Sequence, residues 1–316
     1  MRDPEVLTRI RELAIPPAWR DVWICPYPMG HLQATGMDDA GRKQYRYHDR
    51  WRERRDQEKF DSMLDFARAL PAMRRRVTRD LRRPELDRAR VLACAARLLD
   101  LGFFRIGSED YAERNESYGL ATIRKDHVSI AGGEVVFDYD AKGGKRRIQS
   151  IADDDVLEVV RQLKRRRGRG PELLAHREDG RWRDVRSDDI NDYVKRVTTR
   201  DFTAKDFRTW NATVLAAVAL GLHPDPPASK TGRKRVINDA IKGVAEYLGN
   251  TPAVARASYI DPRVFDRFLS GWTIGALMDR VGREADLADA PTRARIEAAV
   301  LDLLEERETA ALEQLA

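Results

Sequence analysis

The amino-terminal part of the chain contains short apolar and extended segments that are bounded by proline and glycine. The segments "VWICPYP" and "HLQATG" have the length and the boundaries that are typical of β-strands. The stretch "GMDDAGRKQYRYH" then places a polar Asp-Asp-Ala-Gly turn between two extended pieces, which predicts a hairpin. We therefore expect residues 16–48 to form the strands and turns of a small β-rich domain.

A charged helix is predicted next, from Asp49 to about Leu70. The apolar residues of this segment fall on one helical face: Phe60, Met63 and Leu64. The following segment, residues 71–84, begins with proline and shows no clear apolar period. We interpret it as a connector, and we expect two domains, residues 1–78 and 79–316.

The second part of the chain opens with a strong helical pattern and continues with extended segments. Apolar residues recur at helical spacing from Val91 to Leu99, and Gly102 is expected to end this helix. Extended pieces separated by the turns "AGGE" and "DAKGGK" then predict a small antiparallel sheet. These pieces span residues 119–124, 127–131, 134–140 and 145–151.

Beyond residue 151 the chain reads as mainly helical. Apolar stripes with a period of 3.6 follow N-cap residues or prolines, which predicts further helices. Their start signals are Asp153, Ser187, Thr203, Ser229, Thr251-Pro252 and Pro291. The short helix after Thr251 places Tyr259 near its C-terminal end. The predicted fold class is α+β, with a β-rich amino-terminal domain and a mostly helical second domain that holds a small antiparallel sheet.

Charge is segregated along the chain, although the net charge is only +6. Residues 42–55 carry seven basic residues against two acids, and residues 161–169 carry six basic residues and no acid. Residues 284–316 reverse this balance, with nine acids and three arginines. A single charged run is often only a solvated helix face. Several basic clusters together indicate a polyanionic partner, and nucleic acid is the first candidate.

Several functional classes find no support in the sequence. The two cysteines, Cys25 and Cys94, are too few for a disulfide framework or a zinc motif, which favours a reducing compartment. The five histidines show no metal-type spacing, and no glycine-rich phosphate loop is present. No run approaches the length of a membrane span. We therefore expect no metal, cofactor, nucleotide or membrane, and a cytoplasmic, nucleoid-associated location.

Five side chains have the chemistry that phosphodiester cleavage needs when no metal takes part. Arginine can hold the non-bridging oxygens bidentately, lysine can protonate a leaving oxygen, and tyrosine can act as nucleophile where cations favour the phenolate. An asparagine amide can donate a further hydrogen bond. The candidates are Arg105, Lys142, Arg208, Asn250 and Tyr259. Each of them, taken alone, is more typical of a surface or packing role.

Their combination resembles a known family. The ordered segments "RIGSEDYAERNESYGLATIRKDHV", "KGGK", "KDFRTW" and "LGNTPAVARASYIDP" are similar to the signature segments of type IB DNA topoisomerases of the compact poxviral and bacterial kind. The stretch "GMDDAGRKQYRYH" also resembles part of the small β-domain of that family. The resemblance extends from about Pro16 to about Ser270. It implies relaxation of supercoiled duplex DNA by single-strand cleavage and religation, without ATP or metal.

The resemblance also implies a role for each candidate. Tyr259 would attack the scissile phosphate and form a 3′-phosphotyrosyl link. Arg105 and Arg208 would hold the non-bridging oxygens, and Lys142 would protonate the leaving 5′-oxygen. Lys145, in the same turn, is the alternative acid. The family's poxviral and eukaryotic members have histidine where this chain has asparagine, at position 250, so a charge is absent there.

Five further residues match family positions that approach DNA: Arg42, Gln44, Tyr45, Tyr47 and Tyr111. Alternation along a strand would put Gln44 on the face opposite Tyr45 and Tyr47. Ordinary surface or packing roles remain the alternative for all five. The expected partner is double-stranded DNA, held by a two-domain clamp that works as a monomer.

Two other functions are compatible with parts of this pattern. A tyrosine recombinase or integrase would share the catalytic fold and perform site-specific strand exchange, but such enzymes usually carry "HxLR" where this chain has "KDFR", with Lys205 in the histidine position. A DNA-binding protein with an inactive site is the second alternative. Suitable side chains stand at all of the strongest candidate positions, which favours the topoisomerase.

Overall fold

The computed structural model describes residues 3–109, 112–113, 116–168, 170–223, 227, 229–282, 289–307 and 309–314. Backbone contacts divide the chain into two compact units, residues 1–62 and 63–316. Helices predominate in the second unit, and the strands form small antiparallel sheets. The predicted α+β fold class is confirmed. None of the helices in the described ranges is both long enough and apolar enough to span a membrane.

The first unit is built on a three-stranded antiparallel sheet with the order β1-β2-β3. Its elements are α1 (Pro4–Glu12), β1 (Arg20–Ile24), β2 (Leu32–Met37) and β3 (Lys43–Tyr47). The predicted hairpin joins β2 and β3, and Thr35 pairs with Tyr45 in its register. Asp38 fixes the turn, because its carboxylate accepts hydrogen bonds from the backbone N–H groups of Ala40 and Arg42.

The helix that begins at Asp49 does not end near Leu70, as the sequence analysis expected. It continues to Leu81 as α2 (Asp49–Leu81), and Pro71 lies inside it. Proline removes one hydrogen bond from a helix interior, but a buried stripe continues across it. Residues at helical spacing in this part are almost fully buried: Leu70, Met73, Val77 and Leu81. Their packing stabilises the helix where a connector was predicted.

The core of the second unit forms around α3 (Arg88–Gly102). Asp87 caps this helix by accepting a hydrogen bond from the Arg90 N–H, and Phe103 ends it in the left-handed conformation. Most of its side chains are buried against the helices that follow. These are α4 (Asp154–Arg165), α5 (Ser187–Thr198) and α6 (Ala204–Gly221). The predicted helix starts at Asp153, Ser187 and Thr203 are confirmed within one residue.

The second unit also holds the predicted antiparallel sheet, which is formed by β4 (Val128–Ala131), β5 (Glu134–Ala141) and β6 (Lys145–Ile151). The expected strand at 119–124 is wrong, because Leu120–Thr122 forms a single 3-10 turn. Gly107 and Gly119 cross there so closely that a Cβ on Gly119 would lie 2.5 Å from the Gly107 backbone. This crossing leaves no room for a regular strand neighbour.

The remaining helices lead to the C-terminal part of the second unit. They are α7 (Lys230–Leu248), α8 (Pro252–Ser258), α9 (Pro262–Leu269), α10 (Gly275–Val281) and α11 (Ala290–Leu304). Some elements were not predicted from the sequence, namely α1, α9, α10 and two short strand pairs. These pairs are β7 (Ala175–Glu178) with β8 (Arg181–Asp184), and β9 (Trp272–Thr273) with β10 (Glu313–Gln314). Strands of two to four residues are too short for a detectable period.

A cluster of four charged side chains joins three helices of the second unit. Arg74 of α2 lies 2.9 Å from the Asp100 carboxylate of α3 and 2.6 Å from the Glu297 carboxylate of α11. Arg293 of α11 also pairs with Asp100. Burial would raise the pKa of Asp100, but the charges of Arg293 and Arg74 outweigh it and lower this pKa to about 2. The cluster therefore holds Asp100 ionised in the interior.

We expect Asp100→Asn to lower the free energy of unfolding by about 3 kcal/mol at neutral pH, because it leaves two guanidinium groups without their shared carboxylate. The pKa of Asp100 is depressed in the folded state, so its stabilisation is present above the unfolded pKa of about 3.9 and is lost as the pH falls towards 2. Urea unfolding should therefore show a difference from the parent that shrinks below about pH 4. Asp239→Asn, in an exposed pair with Lys242, is the control. Equal effects of the two variants would contradict this prediction.

Candidate active site

Tyr259 lies at the end of a short helix that its local sequence specifies. Thr251 caps α8 by accepting a hydrogen bond from the Val254 N–H, and Pro252 occupies the first helical position. The Tyr259 N–H donates to the Ala255 carbonyl at 3.0 Å. Two residues later, Asp261 caps α9 by accepting a hydrogen bond from the Arg263 N–H. The tyrosine is thus held between two helix boundaries, which fixes its backbone.

Arg208 is buried beside the tyrosine. It lies in the second turn of α6, whose start is fixed by a capping box between Thr203 and Asp206. Its side chain is 4% exposed, and its guanidinium carbon lies 5.1 Å from the centroid of the Tyr259 ring. The two terminal nitrogens donate to the carbonyls of Phe103 and Leu248, at 2.5 and 3.0 Å. The guanidinium is therefore held rigidly on three sides.

Arg105 reaches the same region from the loop after α3. Its carbonyl accepts the Leu120 N–H at 2.8 Å, so the glycine crossing described above anchors its backbone. Its side chain donates to the carbonyl of Gly249 at 3.0 Å and to the side-chain oxygen of Asn250. The loop and the turn after α7 are thereby joined at this arginine.

Two neighbouring cavities contain the candidate side chains. The smaller one, about 420 Å³, is lined among others by Arg105, Lys142, Lys205, Arg208 and Tyr259. The larger one, about 810 Å³, shares Arg105 and Lys142 and is also lined by Lys145, Arg147, Tyr139 and Asn250. Four of the five candidates thus meet in one cavity, and the fifth lies in the cavity next to it.

Lys142 occupies the tip of the β5–β6 hairpin. Ala141 pairs with Lys145 across the turn, and Gly143 and Gly144 have φ angles of 82° and 68°. Glycine adopts these values without the strain that a side chain would bring. Among the described lining residues, Lys142 belongs to both cavities, whereas Lys145 belongs to the larger one. Of the two hairpin lysines, Lys142 is therefore the one that lines the same cavity as Tyr259.

Three buried N–H groups of residues that line the two cavities have no partner within the described part of the chain. They are the side-chain amide nitrogens of Asn250 and Gln149 and Nε of Arg208. The amide oxygen of Asn250 is already occupied by Arg105, so the amide nitrogen is left to donate. A buried donor without an acceptor is costly, and such groups in a cavity suit the oxygens of an anionic ligand.

The charges around Tyr259 favour its ionised form. Burial alone would raise the pKa of the phenol, but the charge and hydrogen bond of Arg208 oppose burial. With further contributions from Arg105 and Lys205, the net effect is a lowered pKa of Tyr259. Burial in turn lowers the pKa of Arg208 to about 10, so Arg208 is cationic at neutral pH. A phenol beside fixed cations is prepared for nucleophilic attack.

Sequence reasoning missed several residues that line these cavities. Lys205, which was named only in the comparison with recombinases, lies one helical turn before Arg208 and lines the smaller cavity. The spacing within "KDFR" could have indicated this position. Tyr118 lines both cavities, and its ring lies 4.4 Å from that of His127. Arg147 lines the larger cavity. For Tyr118 and Arg147 no local pattern distinguishes them from other residues of the loop and the strand.

The candidate DNA-contact residues of the first unit lie on or beside β3. Tyr45 and Tyr47 stack with ring centroids 6.1 Å apart, and Tyr47 stacks on Trp51 at 4.4 Å. Gln44 instead donates to the Asp38 carboxylate at 2.9 Å, and Arg42 donates to it at 2.8 Å. Tyr45 is 49% exposed. The aromatic face thus offers a stacking surface, whereas the polar pair is engaged with the turn.

Tyr111, the fifth candidate of that set, lies outside the described residues. Within the described ranges, no group of three or more His, Cys, Asp or Glu side chains is placed to hold a metal ion.

The chain matches two models of protein families. The eukaryotic DNA topoisomerase I catalytic core matches residues 48–268. The bacterial DNA topoisomerase IB N-terminal domain matches residues 1–38. The first match covers both cavities and every candidate active-site side chain.

Curated relatives carry similar names. A protein of Acanthamoeba polyphaga mimivirus named DNA topoisomerase 1B is 32% identical over 259 residues, which is 80% of this chain and 77% of the relative. The DNA topoisomerase I of Monkeypox virus is 21% identical over 234 residues, covering 73% of this chain and 71% of that protein. The DNA topoisomerase 1B of Vaccinia virus (strain Copenhagen) shows the same identity and coverage.

Proposed function

Because this chain belongs to the type IB DNA topoisomerase family, we propose that Tyr259 is the nucleophile with which it cleaves one strand of duplex DNA. The protein is an isomerase that changes DNA topology. The matched families and relatives are all topoisomerases, so nothing favours the recombinase alternative. The observation that supports our site assignment is the shared cavity of Tyr259, Arg105 and Arg208.

The reaction that we propose is a reversible transesterification. The Tyr259 phenolate oxygen attacks the scissile phosphorus and forms a 3′-phosphotyrosyl bond, while the bond between phosphorus and the 5′-oxygen breaks. Lys142 gives its proton to that leaving oxygen, which becomes a 5′-hydroxyl. Religation reverses each step and regenerates the phenolate. The phosphotyrosyl bond conserves the free energy of the phosphodiester bond that was broken, so we expect no requirement for ATP.

Arg105 and Arg208 stabilise the charge that develops on the non-bridging oxygens. Both guanidinium groups are held by backbone carbonyls before DNA arrives, so little reorganisation is needed during the reaction. The free amide nitrogen of Asn250 donates a further hydrogen bond to one of these oxygens. It supplies no charge, and we expect Arg105 to provide most of the electrostatic effect on that side.

We further propose that DNA binding and catalysis are divided between two domains. Residues 1–78 form a domain that contacts the duplex through β3, and residues 79–316 form the domain that performs the chemistry. The enzyme acts as a monomer, without nucleotide or metal, on the nucleoid in the cytoplasm. Binding depends mainly on phosphates, so affinity should fall steeply as the salt concentration rises.

Plasmid relaxation tests this function directly. Supercoiled plasmid is incubated with the protein in EDTA and without ATP, and the topoisomers are separated on a gel. We expect complete relaxation at protein-to-plasmid ratios well below one. A need for ATP or a divalent cation would overturn the proposed mechanism. A need for two specific sites in one synapse would instead support a recombinase.

The two hairpin lysines can be separated by the chemistry of the leaving group. Lys142→Ala should slow cleavage of an ordinary DNA strand by about 10²- to 10⁴-fold, because the 5′-oxygen then leaves without a proton. A substrate with sulfur in place of that oxygen needs no acid and should be cleaved at nearly the parent rate. Lys145→Ala, from the same turn, is the matched control. If Lys145→Ala shows this pattern and Lys142→Ala does not, the assignment is reversed.

A further inference from the structure

Three arginines from different parts of the second unit donate to three consecutive backbone carbonyls at the C-terminal end of α7. The donor nitrogen is Nη2 in each case. The pairs are Arg147 with the Tyr247 carbonyl at 2.6 Å, Arg208 with the Leu248 carbonyl at 3.0 Å, and Arg105 with the Gly249 carbonyl at 3.0 Å. Two of these arginines have proposed roles in the reaction, and Arg147 has none.

The end of α7 is a suitable acceptor for this set of cations. The last carbonyls of a helix have no partner within it, and they carry the negative end of the helix dipole. Gly249 ends the helix in the left-handed conformation, with φ 64°. Like charges repel each other when they are gathered in one place. The carbonyls offset this repulsion and hold the guanidinium groups together before a phosphate is bound.

Arg147 contacts this helix end from strand β6, where it pairs with Tyr139. Its Nε donates to the side-chain oxygen of Gln149 at 2.9 Å, which directs the guanidinium towards the turn. A Cβ built on Gly249 would lie 3.0 Å from its Nη1, so the guanidinium packs directly on that glycine. Burial and the charge of Arg105 lower the pKa of Arg147, and the interaction with Tyr139 only partly opposes this lowering.

We propose that Arg147 is a positioning residue for strand cleavage, because it fixes the turn that orients Arg105. Its two contacts hold this turn at Tyr247 and at Gly249. The turn then presents the Gly249 carbonyl and the Asn250 amide oxygen to Arg105. The inference rests on the proposed function of Arg105, and it adds a residue that acts through the turn.

A role of Arg147 in DNA binding is the competing explanation, since the residue lines a cationic cavity. The two explanations differ in what they change. A positioning residue alters the rate of chemistry at saturating enzyme, whereas a phosphate contact alters the affinity and its salt dependence.

The test compares Arg147→Met with Arg146→Met. Arg146 is the preceding residue of the same strand, and its guanidinium pairs with the exposed Asp138. Single-turnover cleavage of a labelled duplex is measured with enzyme in excess. We expect Arg147→Met to slow cleavage by about 10- to 100-fold, since a displacement of about 1 Å at a reacting centre has an effect of this size. Arg146→Met should stay within about twofold of the parent.

A double-mutant cycle with Arg105→Ala identifies the route of the effect. If Arg147 acts through Arg105, adding Arg147→Met to Arg105→Ala should slow cleavage by no more than about twofold further. If the double variant is slowed by the product of the two single-variant factors, the proposal is overturned. A parent-like rate for Arg147→Met, or a loss that appears only in DNA affinity, would also overturn it. If Arg147→Met does not fold, Arg147→Lys is taken through the same cycle with the same criteria.

Parallel measurement of the covalent adduct separates this inference from the proposed function. If Tyr259→Phe still forms the adduct, the site assignment fails as a whole. If Tyr259→Phe fails to form it and Arg147→Met behaves as the parent, only the positioning role of Arg147 is wrong.

Discussion

Tyr259→Phe is expected to abolish both plasmid relaxation and the covalent adduct with DNA. Phenylalanine keeps the ring beside Arg208 and removes only the oxygen that would attack phosphorus. Loss of a nucleophile typically lowers the rate by roughly 10⁶-fold, which is below detection in a gel assay. End-labelled DNA on a denaturing gel reports the adduct and also shows which strand end carries the protein. Because the proposed link joins Tyr259 to a 3′-phosphate, a label at the 5′ end of the cleaved strand should stay with the protein. A label at the 3′ end of that strand should leave with the fragment that carries the free 5′-hydroxyl.

DNA binding is the control for this variant. The phenol contributes little to a phosphate-dominated interface, so the affinity of Tyr259→Phe should match that of the parent within about threefold at the same salt concentration. Relaxation at the parent rate would show that another residue is the nucleophile. Tyr118 lines the same cavity, and Tyr118→Phe is therefore the matched variant.

Arg208→Lys should slow DNA cleavage nearly as much as a substitution that removes the positive charge. Lysine keeps the positive charge but cannot bridge the carbonyls of Phe103 and Leu248 while it faces Tyr259. We expect single-turnover cleavage to fall by roughly 10²- to 10³-fold. Arg196→Lys provides the control, because Arg196 also packs on a tyrosine ring, at 5.1 Å from Tyr193, and lies outside the residues that line the site.

The pH dependence of cleavage gives Arg208 a second readout. Arg208 lowers the pKa of Tyr259, so its removal should raise that pKa and move the rising limb of the pH–rate profile to higher pH. Arg208→Met should shift this limb further than Arg208→Lys, which retains a charge. A profile that stays in place for both variants would mean that Arg208 does not act on the ionisation of the phenol.

Local patterns were sufficient for much of the fold. The hairpin at β5 and β6 could be located because turn glycines separate two alternating segments, and the cap residues located most helices of the second unit. The continuation of α2 through Pro71 was not predicted, because the proline was taken as the end of the helix although Met73 and Val77 follow it at helical spacing. The helix beyond the proline depends on burial of these two side chains. The 3-10 turn at Leu120–Thr122 depends likewise on a backbone crossing between two distant glycines.

The candidate site likewise includes residues that could be identified from the sequence and contacts that could not. The resemblance of the ordered segments to a known family was enough to select Arg105, Arg208 and Tyr259, whose roles remain predictions. The sequence does not reveal that backbone carbonyls hold both arginines, because any residue type supplies such an acceptor. For the same reason Arg147 could not be singled out, since its contact is with the main chain of Tyr247.

The charge cluster of Arg74, Asp100, Arg293 and Glu297 sets a limit on protein engineering. A shortened enzyme that stops before α11 would retain every proposed active-site side chain, yet Arg74 would lose Glu297 and Asp100 would lose Arg293. A minimal version would therefore need compensating substitutions, such as a pair of uncharged, volume-matched residues at 74 and 100. Helix α11 is thus part of the stable core of the second unit, and its removal should destabilise the part of the chain that holds the proposed active site.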